Sequence, residues 1–178
     1  MKRYHINMRK TLKFIPEIME RVYDVYDSVA KKMHLPKKDI TFIGIHNRRT
    51  DHLAWTQKKH KRSPLKASYF YDAMDKFRED YDNVAFLFVS DDMPWGKKNI
   101  KDKNNDLFFV GKGESTVDLD IGTDLAIMAN ANHTIITRGT YSMWGAILSG
   151  GEYHTEHGLM VPDHLMNPGE PEDPEYYL

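Results

Sequence analysis

The sequence predicts an α/β chain built on a Rossmann-like parallel sheet with flanking helices, and three observations carry that expectation. Short apolar runs alternate with helical stretches along most of the chain. The runs are rich in Ile, Val and Phe without strict polar alternation, the pattern of strands covered on both faces. The 178 residues, 40% hydrophobic and 12% aromatic, supply a core of ordinary size for one domain and exclude a mostly disordered chain.

Each element follows from local pattern. Between Thr11 and Met33 the residues Leu12, Ile15, Ile18, Met19, Val22, Tyr26, Val29 and Met33 recur mostly at spacings of three and four, the period of an amphipathic helix, and Pro36 stops it. Strands are expected at Ile40–Ile45, Val84–Val89, Leu107–Val110, His133–Thr137 and Gly158–Val161, with helices at about 66–81, 94–100, 119–131 and 141–149. Strand–helix–strand repetition implies parallel pairing with right-handed crossovers, and in such sheets ligands sit beyond the carboxyl ends of the strands. The organisation read from this is an amphipathic helix segment over 1–38, a sheet domain over 39–162 and an acidic, Pro-rich extended tail over 163–178.

Charge and composition narrow the function. The formal charge is −1, yet residues 1–66 hold 17 Lys and Arg against 6 Asp and Glu, while residues 67–178 hold 8 against 20. The basic third implies an anion-binding surface. No recognition-helix or RNA-recognition signature lies beside it, so nucleic acid is not an expected partner. With no cysteine there is no disulfide framework, Cys-type zinc site or thiol nucleophile. No apolar run approaches the roughly 18–20 residues that span a bilayer. Met1 to His5 lack the apolar core of a signal peptide, so the chain as it stands is expected to be soluble. Gly-x-Ser-x-Gly, His-Glu-x-x-His and Walker motifs are absent.

Two segments carry the chemistry. In Ile43-Gly-Ile-His46-Asn-Arg48-Arg49-Thr-Asp51 a strand discharges into two arginines, whose planar, permanently charged guanidiniums match phosphate oxygens. Asp51 is placed to orient one arginine while the other takes the anion. In Thr137-Arg138-Gly139-Thr140 a second strand ends just before a helix; Gly139 permits a tight turn, and Thr140 with the first helical amides forms an anion cradle. Together they make a nucleotide-diphosphate site. Four other features are expected to be inert. Asp118-Leu-Asp120 and the run Lys58–Arg62 read as solvated loop, Glu152 to His157 as an exposed turn, and Gly111-Lys-Gly113 as too short for a dinucleotide loop.

His46-Asn-Arg48-Arg49-Thr-Asp51 resembles the His-x-Arg-Arg-x-Asp motif of the α-1,2-, α-1,6- and protein O-fucosyltransferase superfamily. The stretch Asp124–Leu148 resembles the second signature of the α-1,2-fucosyltransferases, glycosyltransferase family 11, and Val84–Ile100, with Ser90-Asp91-Asp92-Met93-Pro94-Trp95, is similar in order and spacing. The resemblance covers about residues 40–162 and is closer to animal-type members. It implies the C-terminal, GDP-fucose-binding half of a GT-B enzyme that transfers fucose, with inversion and without a metal, to the 2-hydroxyl of a terminal galactose on a glycan acceptor. It further implies a Golgi membrane enzyme whose anchor lies outside this chain. By motif position Arg48 and Arg49 would be catalytic, binding the donor diphosphate, with Arg49 the stronger candidate for stabilising the leaving phosphate. His46 would line the pocket, Asp51 support the arginines, Asp124 read the guanine edge, Asp91 and Asp92 approach the ribose or base, and Thr140 touch phosphate in the loop begun by Thr137 and Gly139. No general base is identified; His52 and His60 are candidates by proximity in sequence alone. The alternative is a non-catalytic GDP-sugar or diphosphate-binding domain using the same residues.

Overall fold

The computed structural model of the chain describes residues 11–113 and 117–160. Six strands form one sheet in the order β3-β2-β1-β4-β5-β6: β1 Thr41–Asn47, β2 Val84–Ser90, β3 Leu107–Phe109, β4 His133–Ile136, β5 Tyr153–Thr155 and β6 Gly158–Met160. The first five pair in parallel and β6 closes the edge antiparallel to β5. The helices are α1 Pro16–Met33, α2 Thr50–His60, α3 Ala67–Asp80, α4 Met93–Asn99, α5 Asp118–Asn130 and α6 Thr140–Ser149, with a 3-10 turn at Lys37–Asp39.

The absence of polar alternation in the strands has its cause in a core on each face. Phe42, Ala85, Leu87, Val89 and Tyr153 point toward Ile18, Val22 and Tyr26 of α1, Ile127 and Met128 of α5, and Ala146 and Ile147 of α6. The alternate residues Ile43, Ile45, Phe86, Phe88 and Ile135 meet Phe70, Met74 and Phe77 of α3 and Met93 at the start of α4. The strand period of two thus sends successive side chains to opposite cores, both apolar.

Several boundaries move for physical reasons. The amphipathic pattern from Thr11 begins its continuous helix only at Pro16, because proline has no N–H to donate and fits the first helical position. His34 ends that helix in a left-handed conformation, with its N–H on the Ala30 and Lys31 carbonyls. Strand β1 runs two residues beyond Ile45, since β2 and β4 flank it and pair with it up to Asn47 and His46.

Two elements differ from expectation in kind. Residues 50–60 form helix α2, so Lys58 and Lys59 lie on an exposed helix end, and Arg62 beyond it is half-buried against Glu156 at 3.6 Å. The segment expected to be an exposed turn, Glu152 to His157, is instead strand β5 and its turn: Tyr153 and Thr155 are buried and pair with β4 and β6. A Cβ at Gly151 would fall 1.7 Å from the Asn132 carbonyl oxygen, so only glycine lets the chain pass the entrance of β4 to reach that edge. The Pro-rich tail lies outside the described residues.

Candidate functional site

After β3 the chain crosses back over the sheet to place β4 on the other side of β1, so the loops beyond the carboxyl ends of β1 and β4 diverge and leave a crevice. The cleft there has a volume of about 450 Å³. His46 and Arg48 enter it from the end of β1, Ser90 and Asp91 from the end of β2, and Lys112 and Gly113 from beyond β3. Asp120 and Asp124 come from α5, and Arg138 to Ser142 from the turn between β4 and α6.

Arg48 is held through both its backbone and its guanidinium. Its backbone N–H donates to Thr137 Oγ1 at 2.9 Å, tying the end of β1 to the end of β4. Its guanidinium bridges two carboxylates, Nη1 to Asp91 Oδ2 at 3.0 Å and Nη2 to Asp51 Oδ1 at 2.5 Å. Arg49 leaves the opposite side of the chain. Its guanidinium lies 3.9 Å from the centroid of the Trp95 ring, its Nε is 3.3 Å from Asp92 Oδ2, and it contributes nothing to the lining of the cleft. The structure thus gives the two adjacent arginines different partners, Arg48 in the lining of the cleft and Arg49 against Trp95 and Asp92. Asp92 goes with Arg49: its Oδ1 accepts the Trp95 N–H at 3.0 Å and caps α4, away from the cleft.

The floor of the cleft is the start of α6. Gly139 has φ 122°, a conformation that side chains beyond glycine rarely adopt, and the turn it makes delivers the first amides of α6 to the crevice with no side chain capping them. A ten-residue helix with uncapped leading amides presents donors and the positive end of its dipole to an anion. Thr140 is exposed there, whereas the Thr137 hydroxyl is buried and used on Arg48. His46 is buried, its Nδ1 hydrogen-bonded to Ser142 Oγ at 2.5 Å and its ring 4.8 Å from that of Tyr141. Burial above all, with Arg48 and then His52 nearby, lowers its pKa to about 3, so it lines the cleft as a neutral ring.

Asp124 faces this cationic end from α5. Burial, opposed by an N–H from Lys112 and assisted by Asp120, raises its carboxyl to about 7, and its buried Oδ1 has no hydrogen-bond partner. A half-desolvated carboxylate with one unmatched oxygen fits a ligand that brings its own N–H donors. His52 also lines the cleft; its Nδ1 is 3.3 Å from Thr56 Oγ1, and burial followed by the Arg48 charge keeps it neutral. The side chain of His60 lies outside the described residues. Asp120 of the Asp-x-Asp pair, expected in a loop, sits in the first turn of α5 and pairs with Arg21 at 3.0 Å. Among the described residues no group of three or more His, Asp or Glu side chains is placed to hold a metal ion.

Sequence reasoning brought His46, Arg48, Asp91, Asp124, Gly139 and Thr140 to one place, and missed Lys112, Asp120, Arg138, Tyr141 and Ser142 in the lining. The signal for Lys112 was present in Gly111-Lys-Gly113, which the structure places against Asp124.

The family model for glycosyl transferase family 11 matches residues 1–156. The chain belongs to that family. Among its family 11 relatives, galactoside alpha-(1,2)-fucosyltransferase 1 of Sus scrofa is 35% identical over 127 residues, 70% of this chain and 34% of that protein. The enzyme of the same name from Saimiri sciureus is 32% identical over 139 residues, 76% of this chain and 37% of the relative. Galactoside 2-alpha-L-fucosyltransferase Sec1 of Mus musculus is 37% identical over 112 residues, 63% of this chain and 30% of the relative. The chain thus spans about a third of the length of the curated family 11 relatives it matches. No solved structure matches it. Among the described residues no helix is long and apolar enough to cross a membrane.

Proposed function

We propose that the cleft binds GDP-fucose and that the protein to which this sequence belongs is a galactoside α-1,2-fucosyltransferase. The observation that carries the reading is the gathering of opposite chemistries in the lining of one 450 Å³ cleft: Arg48 and the leading amides of α6, and the Asp124 carboxylate with its unmatched Oδ1. A diphosphate lies over the first, and the N1–H and N2–H edge of guanine meets the second. The names of the relatives supply the sugar and the acceptor class.

The reaction follows from that placement. The 2-hydroxyl oxygen of a terminal galactose attacks C1 of fucose from the face opposite the diphosphate, its proton passes to solvent, and the C1–O bond breaks with its electron pair passing to the β-phosphate oxygen. Arg48 and the α6 amides are aimed at the charge that develops there, which lowers the barrier directly. The leaving group needs no metal in this scheme, so chelation by EDTA leaves the rate unchanged. Residence in the Golgi membrane is part of the same proposal.

Calorimetry with GDP, UDP and ADP tests the reading. GDP is expected to bind at least tenfold more tightly than UDP or ADP, with the preference lost in Asp124→Asn and the affinity weakened about 30-fold in Arg48→Ala. Equal affinity for the three nucleotides would sink the guanine assignment. Transfer of labelled fucose to a galactoside by the longer protein, absent in Arg48→Ala, tests the activity.

A further inference from the structure

The two carboxylates on the Arg48 guanidinium differ in their surroundings. Asp91, the first residue beyond β2, has a side chain only 14% exposed and touches three consecutive residues of the turn after β1. Its Oδ2 meets Arg48 Nη1 at 3.0 Å and accepts the Thr50 hydroxyl at 2.5 Å, while its Oδ1 accepts the Arg49 N–H at 2.8 Å. Register holds the two sites together, since Asn47 pairs with Ser90 and the Ser90 hydroxyl donates to the Asn47 carbonyl at 2.6 Å. Asp51, in the first turn of α2, has a side chain 78% exposed, and among the described residues it meets Arg48 and, at 3.2 Å, the Thr50 hydroxyl.

We propose that Asp91 is a positioning residue that sets Arg48 for the donor diphosphate, and that Asp51 is a resident anion which the diphosphate displaces. The proposal rests on the diphosphate reading of the cleft. It reassigns Asp91 away from contact with ribose or base, because both of its oxygens are already engaged by the β1–α2 turn. A well-solvated carboxylate held by one guanidinium exchanges readily for a more highly charged phosphate and otherwise repels it. A buried carboxylate that also accepts a backbone N–H and a hydroxyl stays in place and fixes the direction in which the guanidinium points.

The two roles give opposite signs in one experiment. Charge alone predicts that removing either carboxylate strengthens anion binding. The geometry predicts that Asp51→Asn binds GDP about threefold more tightly, whereas Asp91→Ala binds it at least tenfold more weakly. Asp91→Asn keeps an amide oxygen for the Arg49 N–H but turns its NH2, a donor, toward the Arg48 guanidinium, so it is expected to bind GDP nearly as weakly as Asp91→Ala although it removes the same charge as Asp51→Asn, which separates positioning from net charge. In an Arg48→Ala background Asp91→Ala is expected to add nothing, because its effect passes through that guanidinium. All variants are titrated as the full 178-residue chain, with melting temperatures measured alongside. Tighter binding in both Asp51→Asn and Asp91→Asn, or an undiminished Asp91→Ala effect in the Arg48→Ala background, overturns the proposal. Inorganic pyrophosphate is titrated in parallel: a chain that binds pyrophosphate but not GDP loses the nucleotide reading while the signs still decide this one. A chain that binds neither overturns both.

Discussion

Among the described residues the two ends of the sheet are both rich in polar and charged side chains, yet they differ in how far the charged ones are matched. At the amino edge Arg78 grips Asp106 through Nε and Nη2, each at 2.8 Å, and Asn132 Oδ1 accepts the Phe42 N–H at 2.8 Å. There too the Tyr81 hydroxyl donates to Glu152 at 2.9 Å, and the Glu152 N–H donates to His133 Nδ1 at 3.0 Å. At the carboxyl edge a carboxylate oxygen of Asp124 has no partner, the leading amides of α6 are uncapped, and Arg48 is balanced partly by an exposed aspartate. Matched polar groups hold a fold together, whereas unmatched ones are kept at a cost and mark where a ligand completes them. The abundance of charge therefore says little about function, and its state of satisfaction says much.

Variants at the two edges should separate binding from stability. The largest expected effect is Arg48→Ala, with GDP affinity of the folded protein falling about 30-fold, roughly 2 kcal/mol, beside a stability loss of about 1 kcal/mol from the Asp91 pair. Arg49→Ala serves as its control and is expected to cost less than about fivefold in affinity, with about 1 kcal/mol of stability lost from the Trp95 contact. If calorimetry ranks them the other way, the strand-end geometry has been misread. Asp106→Ala works in reverse at the opposite edge. It leaves the half-buried Arg78 with only the exposed Asp75 among the described carboxylates and should cost about 2 kcal/mol in urea unfolding, while the GDP affinity of the folded protein stays the same.

A pH titration gives the next effect in size. Guanine needs the ionised form of Asp124, whose carboxyl stands near 7 in the free protein, so GDP affinity should fall as pH drops below 7, by up to about tenfold per unit. Asp124→Asn should bind weakly and remain flat between about pH 6 and 8. The stability of the free protein responds with the opposite sign. A folded pKa raised from 3.8 means that the charged form is disfavoured in the fold, so this group costs stability as pH rises from about 4 to about 7. His46 opposes it, because a ring held down to about 3 costs stability as pH falls below about 6.5. The smallest expected change is Tyr81→Phe, a loss of about 1 kcal/mol at the amino edge with no change in GDP affinity.

Much of this was legible in the sequence where the signal is local. The heptad-like spacing of Ile18, Val22, Tyr26 and Val29 gave helix α1, and the uninterrupted Val84-Ala-Phe-Leu-Phe-Val89 gave a strand buried on both faces. The step from Ile45 into His46 and Arg48 placed a cation at the mouth of the crevice. Strand β5 was not legible: Tyr153-His-Thr155 is too short to show a period, and only the open edge of β4 makes it a strand. Helix α2 has a weakly amphipathic sequence and a largely exposed surface, so periodicity had little to register.

The sequence by itself determined helix α1 and the central strands, the alternation that makes the sheet parallel, and the residue types gathered at the ends of β1 and β4, because propensity and periodicity act over a few neighbouring residues. Only the tertiary structure decided which of two adjacent arginines enters the cleft, which aspartate is consumed by a turn, and which carboxylate keeps one buried oxygen without a partner. Those outcomes depend on contacts such as Arg48 to Thr137 and Arg49 to Asp91, 89 and 42 positions apart in the chain, and on solvent excluded by the whole assembled core.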